Sequence, residues 1–147
     1  MSVAQPFSRP LYVMCKPAVS HCNLACTYCY YLEKKHLYAD TPRQVMSDAL
    51  LEEFIAQYIA MQTQPEVLFT WHGGEPLMRP IAFYEKALAL QQKYAAGKRI
   101  DNAIQTNGTL ITAEWAQFFR RHNFLVGVSI DGSQEVHDPF TCSKLGK

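Results

Sequence analysis

Three cysteines fall within eight residues, Cys22-x-x-x-Cys26-x-x-Cys29, a spacing that suits metal ligation in a reducing compartment better than a disulfide framework. Three such thiolates can hold three irons of a [4Fe-4S] cube and leave the fourth iron without a protein ligand, open to reductive chemistry. The same residues admit other readings. A lone cysteine is often a buried hydrophobe, a pair two residues apart can exchange thiols, and three thiolates can form a zinc site completed by His21 or His36. Tyr28, Tyr30 and Tyr31 favour a cluster with an adjacent planar ligand, and they can also simply cover the metal from water. Cys15 and Cys142 stand outside the motif, and Cys15 reads as packed at a strand.

Further polar and glycine-rich stops recur down the chain: Gly73-Gly74-Glu75-Pro76, Gln105-Thr106-Asn107-Gly108 and Ser129-Ile130-Asp131-Gly132. Gly73-Gly74 permits close backbone approach or makes a tight turn, and Glu75 is otherwise a solvated loop acid. Gln105 and Asn107 can fix amides or ligand polar groups near a strand end, whereas the plain reading of Asn107-Gly108 is turn geometry. Ser129 can satisfy a strand-end backbone group, Asp131 can cap its turn, and His72 can organise a neighbouring loop.

These stops follow strands. The patterns predict strands over 11–15, 66–71, 101–105 and 124–130, with the cysteine loop opening directly after the first. Thr41-Pro42 with Gln44 reads as an N-cap, N1 proline and capping box, which predicts a helix from Pro42 to about Met61 with Val45, Ala49, Phe54 and Tyr58 towards a sheet. A second helix is expected from about Pro80 to Ala95, and a third from the Thr112 cap to about Arg120. Four strands alternating with three helices indicate an α/β fold with a parallel sheet, whose ligand crevice lies beyond the carboxyl ends of the strands. Residues 133–147 show no convincing helix pattern, so the last strand is left uncovered and apolar surface remains for missing sequence, a partner chain or aggregation. A small complete domain is the plainer alternative.

Composition narrows the rest. A chain of 147 residues with 48% hydrophobic content can bury one modest core. Its formal charge of +1, without a basic run, offers nothing for nucleic acid or a membrane surface. No basic-then-apolar leader opens the sequence, and no stretch nears the roughly 20 apolar residues of a membrane span. The expected location is cytoplasmic.

The segment Cys22-Asn23-Leu24-Ala25-Cys26-Thr27-Tyr28-Cys29 resembles the cluster motif of the radical S-adenosylmethionine (SAM) enzymes, Cys-x-x-x-Cys-x-aromatic-Cys. Its flanks, Tyr12-Val13-Met14 with Lys16-Pro17 before and Tyr30-Tyr31-Leu32-Glu33-Lys34 after, look like the anaerobic sulfatase-maturating branch, and the three polar stops match that branch in order. The resemblance covers almost the whole chain and the amino-terminal part of a family member. It implies that residues 1–147 are a partial core domain, the amino-terminal four-strand portion of an incomplete (β/α)6 TIM-like barrel, with the carboxyl-terminal auxiliary-cluster domain absent.

By the same resemblance, Cys22, Cys26 and Cys29 bind three irons of a [4Fe-4S] cluster, and the amino and carboxylate groups of S-adenosyl-L-methionine bind the fourth. Tyr28 lies near the adenine, Gly73 and Gly74 allow close approach, Glu75 pairs with the cofactor ammonium, and His72 and Ser129 make polar contacts. Reduction then cleaves the sulfonium to give methionine and a 5′-deoxyadenosyl radical. In the maturating branch this radical begins the oxidation of a sulfatase cysteine or serine to formylglycine, so a sulfatase polypeptide and a low-potential electron donor are the implied partners. Another radical reaction on a peptide or metabolite, and a noncatalytic metal-binding fragment, are the alternatives. The pattern departs from the branch at Thr141, where relatives carry an arginine after a segment like His137-Asp138, and in offering only Cys15 and Cys142 outside the motif, too few to build the auxiliary clusters.

Overall fold

The computed structural model describes residues 9–34 and 45–141. Its frame is a four-stranded sheet of β1 (Met14–Cys15), β2 (Glu66–Trp71), β3 (Arg99–Thr106) and β4 (Leu125–Val128), all parallel and ordered β1-β2-β3-β4. The helices between them are α1 (Asp48–Met61), α2 (Ile81–Tyr94) and α3 (Ala113–Arg121), and a single-turn α4 (Gln134–His137) follows β4. Strand order that never reverses, combined with right-handed crossovers, keeps the intervening helices on one face of the sheet. This is the α/β architecture expected from the sequence.

Alternation along the strands separates the two faces. Cys15, Trp71, Ile104 and Val126 share one register row on the helix side, joined by Val67 and Phe69. Met14, Thr70, Ala103 and Leu125 share the next row on the opposite side. There Met14 is 61% and Leu125 71% exposed, so the inner face is largely bare. Val128 and Ile130 are exposed as well, and β4 is an open edge.

The helix-side core is strongly aromatic. Trp71 packs edge-on against Phe83 and Tyr84, and Tyr84 packs in turn against Trp115 from α3, at ring separations of 5.6 to 6.1 Å. These edge-to-face contacts each contribute about 0.5–1.5 kcal/mol beyond area burial. The Tyr84 hydroxyl donates to the Pro76 carbonyl at 2.8 Å, which pins the short 3-10 turn Pro76–Met78 to α2.

Four local expectations are corrected. The first helix begins at Asp48 rather than Pro42: Ser47 Oγ accepts from the Leu50 N–H at 3.2 Å as its N-cap, and the Met46 N–H is drawn off to the Pro17 carbonyl. Thr41, Pro42 and Gln44 lie outside the described residues. The buried row of α1 is Leu51, Ile55, Tyr58 and Ile59, whereas Val45 and Ala49 are exposed and Phe54 is half-buried. Strand β1 pairs over two residues only, because the Gln62 side-chain amide takes both the N–H and the carbonyl of Leu11, at 3.2 and 2.7 Å. Finally, Ser133 opens the one-turn α4, where no helix was expected.

One polar device sits inside the apolar layer. Asn102 and Gln91 exchange amide hydrogen bonds at 2.8 and 2.9 Å, and Trp71 Nε1–H donates to the same Asn102 oxygen at 2.9 Å, with all three side chains buried. Every polar atom of the Asn102 amide has a partner, so α2 is held in one register over β2 and β3. Gln91→Leu strands the Asn102 donor, and urea unfolding is expected to show a loss of about 1–3 kcal/mol. Among the described residues no helix is long and apolar enough to cross a membrane.

Candidate functional site

Beyond the carboxyl ends of the four strands the loops close around a cavity of about 290 Å³, at the small end of the roughly 300–1,000 Å³ usual for ligand pockets. After β1 the chain makes two tight turns, with the Val19 N–H on the Lys16 carbonyl and the His21 N–H on the Ala18 carbonyl, and so reaches Cys22. Val19, a β-branched residue, adopts a left-handed φ of 53° in the first of them, a conformation that costs on the order of 1–3 kcal/mol and is found where surroundings over-determine the backbone. A further pair of turns, Cys29 N–H to the Cys26 carbonyl and Leu32 N–H to the Cys29 carbonyl, brings the second and third cysteines round to the same cavity. The Thr27 N–H donates to the Phe140 carbonyl at 2.9 Å, which fastens this loop to the segment after α4.

The thiols of Cys22, Cys26 and Cys29 all line this cavity. Among the described residues no three His, Cys, Asp or Glu side chains converge closely enough to share one metal ion. In a cube each of three cysteines takes a different iron, whereas a zinc site brings its ligands to one ion. His36 lies outside the described residues. The Cys22 sulfur accepts from the Leu24 N–H at 3.3 Å and from Asn107 Nδ2 at 3.6 Å, donors that suit a metal-bound thiolate. Burial raises the Cys22 thiol above its usual range, while the Leu24 and Asn107 donors pull the other way. Cys15 differs in kind. It is packed in the core at 5% exposure, as expected, and burial pushes its thiol up to about 12.

Tyr28, His72, Gly74 and Ser129 also line the cavity. The Tyr28 hydroxyl donates to Asp131 at 3.1 Å, so a ring that is otherwise 58% exposed is tethered at the rim. His72 Nδ1 accepts from the Gly73 N–H, and burial together with the Lys16 charge holds the imidazole below its usual range, which keeps it neutral at physiological pH. Ser129 Oγ accepts from Gln105 Nε2 at 2.9 Å across Gly127, where any side chain would collide with the Gln105 amide. Gly74 has a φ of 54° and a Cβ there would strike the His21 backbone, so the loops after β1 and β2 touch main chain to main chain.

Gly73 and Glu75 stand behind the wall. Glu75 is fully buried, and its carboxylate accepts from the Leu77 N–H at 2.9 Å, the Thr106 hydroxyl at 2.7 Å and the Asn107 N–H at 2.8 Å. Its own N–H donates to the His21 carbonyl at 2.6 Å. Sequence reasoning gave no place to Thr106, and none to Asn23, whose amide oxygen accepts from Asn107 Nδ2 at 3.0 Å. A small hydroxyl closing the helix-side row of β3 was the available sign for Thr106. Thr141 reaches the cavity lining, as does His137.

Three outcomes test this geometry. Iodoacetamide at neutral pH is expected to modify Cys22, Cys26 and Cys29 of the metal-free folded protein and to spare Cys15, read by peptide mass. Because burial lifts the folded Cys15 pKa above the unfolded thiol's 9.0, its stabilisation is full below that pH and declines as pH rises towards about 12; Cys15→Ala should flatten that decline in unfolding curves. Gly74→Ala is expected to lower stability by about 2 kcal/mol or more, since neither the backbone conformation nor the His21 main chain can yield cheaply.

Comparison with known proteins gives a consistent setting. The Radical SAM superfamily pattern matches residues 18–144. The chain is 66% identical over 142 residues to a serine-type anaerobic sulfatase-maturating enzyme of Bacteroides thetaiotaomicron, covering 97% of this chain and 34% of that protein. It is 39% identical over 134 residues to a cysteine-type anaerobic sulfatase-maturating enzyme of Clostridium perfringens, covering 88% and 35%. The solved structure of native anSMEcpe with bound AdoMet superposes with a TM-score of 0.78 at 38% identity, over 89% of this chain and 35% of that one. Native anSMEcpe with bound AdoMet and Cp18Cys peptide also gives 0.78, at 37% identity, over 89% and 34%. The chain thus spans about a third of the length of the relatives it matches.

Proposed function

This chain belongs to the radical SAM superfamily, and from that membership we propose that it forms the cluster- and cofactor-binding portion of an enzyme that oxidises a sulfatase serine or cysteine to formylglycine. The observation that carries the reading is the convergence of Cys22, Cys26 and Cys29 with Tyr28, His72, Gly74 and Ser129 on one cavity at the carboxyl edge of the sheet. Higher identity to the serine-type relative than to the cysteine-type one supports serine as the residue converted. In this reading residues 1–147 make part of the radical SAM core, and the remaining barrel and auxiliary-cluster segments belong to sequence beyond them.

Bound together, a [4Fe-4S] cluster and S-adenosylmethionine would supply low-potential electron transfer and a hydrogen-abstracting radical. The protein's tasks are then positional. Cys22, Cys26 and Cys29, which line the cavity together, would hold three irons of the cluster. Gly74 lets the loops after β1 and β2 meet main chain to main chain at the cavity wall, where a Cβ would strike the His21 backbone. Ser129, oriented by the Gln105 amide, presents a hydroxyl to the polar groups of the ligand, and neutral His72 adds a polar contact without a repelling charge. Tyr28, held at the rim by Asp131, would cover the bound cofactor and limit water.

Anaerobic reconstitution tests the reading. The chain should take up about four irons and four sulfides, give a paramagnetic resonance signal on reduction, and release 5′-deoxyadenosine from S-adenosylmethionine. A sulfatase peptide incubated with the complete enzyme should become lighter by two hydrogens at its serine. Cys26→Ala should abolish cluster and cleavage together; retained iron and activity would remove Cys26 from the ligand set, and zinc in place of iron in natively purified protein would end the proposal.

A further inference from the structure

The Glu75 carboxylate and the Cys22 sulfur sit on opposite sides of Asn107. On one side the Asn107 backbone N–H is held by Glu75 Oε2 at 2.8 Å. On the other the Asn107 side-chain amide reaches Cys22 Sγ at 3.6 Å and Asn23 Oδ1 at 3.0 Å. The amide cannot be turned over, because its oxygen already accepts from the Thr109 N–H at 3.0 Å and from the Thr109 hydroxyl at 2.7 Å. Both Nδ2 hydrogens therefore point towards the cysteine loop, one on Asn23 and one on the sulfur.

Glu75 fixes this arrangement from behind. The same carboxylate binds Thr106 Oγ1, which in turn accepts from the Gly108 N–H at 3.0 Å, so the residues on either side of Asn107 are clamped along with it. The Glu75 N–H donates to the His21 carbonyl, one residue before Cys22. Donor and acceptor of the N–H···S contact are thus set by one buried side chain and its own main chain. Among the described residues neither Cys26 nor Cys29 receives such a donor at its sulfur.

We infer that Asn107 donates a hydrogen bond to the sulfur of Cys22 when that sulfur binds iron, and that Glu75 is the positioning residue that aims it. The inference rests on the cluster reading above. An added electron places negative charge on the cluster and its thiolates, and an N–H donor stabilises that charge, so the contact holds the reduction potential up and makes Cys22 electronically distinct from the other two ligands.

The test is a redox titration of the reconstituted chain, without S-adenosylmethionine, followed by paramagnetic resonance. Asn107→Asp keeps the oxygen that binds Thr109 while removing the donor, and Asn107→Ala removes both. Each is expected to hold iron and sulfide at the wild-type level and to shift the midpoint potential to more negative values, the aspartate further. Glu75→Gln, which replaces one acceptor oxygen by a donor, is expected to shift it in the same direction; if that variant does not fold, Thr106→Val, which frees the carboxylate from β3, carries the same expectation. A wild-type chain that takes up no cluster overturns the cluster reading and this inference together. A wild-type cluster with an unchanged potential in Asn107→Asp overturns this inference alone. A shift in Asn107→Asp with the Glu75 and Thr106 variants left at the wild-type potential overturns the part given to Glu75.

Discussion

A single buried carboxylate ties the functional end of this molecule together. Glu75 follows β2 in the chain, yet its hydrogen bonds reach the loop after β1, the short turn ahead of α2 and the last residues of β3. Burying such a group is costly unless its oxygens are filled, and here three donors fill them. Hydrogen bonds of this kind contribute roughly 1.5–3 kcal/mol each when the acceptor is charged, and removal of the acceptor would strand three donors at once. The loops that carry the cysteines and the strand-end amides are therefore not independent. They share one anchor, and the cavity inherits its shape from it.

That anchor needs a rigid base. The aromatic layer running from Phe69 through Trp71 and Tyr84 to Trp115 packs the helices on one face of the sheet, and the Asn102–Gln91 exchange sets their register. Side chains at the ends of β3 and β4 are placed by strand pairing rather than by loop conformation: Gln105 is opposite Gly127, and Ser129 follows through its N–H on the Thr106 carbonyl. Positions set by a sheet vary less than positions set by loops, which suits groups that must meet a ligand at fixed distances.

Much of this was legible in the sequence because it is local. The run Glu66–Trp71 alternates and stops at a glycine pair, Thr112 caps its helix through its own hydroxyl, and the cysteine spacing stands out without any partner. What escaped depends on residues far apart. The shortness of β1 follows from Gln62, 51 positions away from Leu11, and nothing near Leu11 announces it. The helix start was misplaced because Thr41-Pro42 with Gln44 carries the usual cap signs, whereas Ser47, whose Oγ accepts from the Leu50 N–H, has neither a following proline nor a Glu or Gln three residues on. Glu75 reads as a loop acid until Thr106 and Asn107, some thirty residues on, are found against it.

Strand order that follows chain order has a bearing on how such a molecule is made. Each strand meets an edge already built by its predecessor, so pairing can advance in the direction of synthesis without waiting for distant segments, and the connections closed at each step stay short. The outward-facing amides and carbonyls of β4, beside the bare Leu125, are by the same logic a growing tip. Left unmet, that tip is also where two nascent copies would first stick to one another.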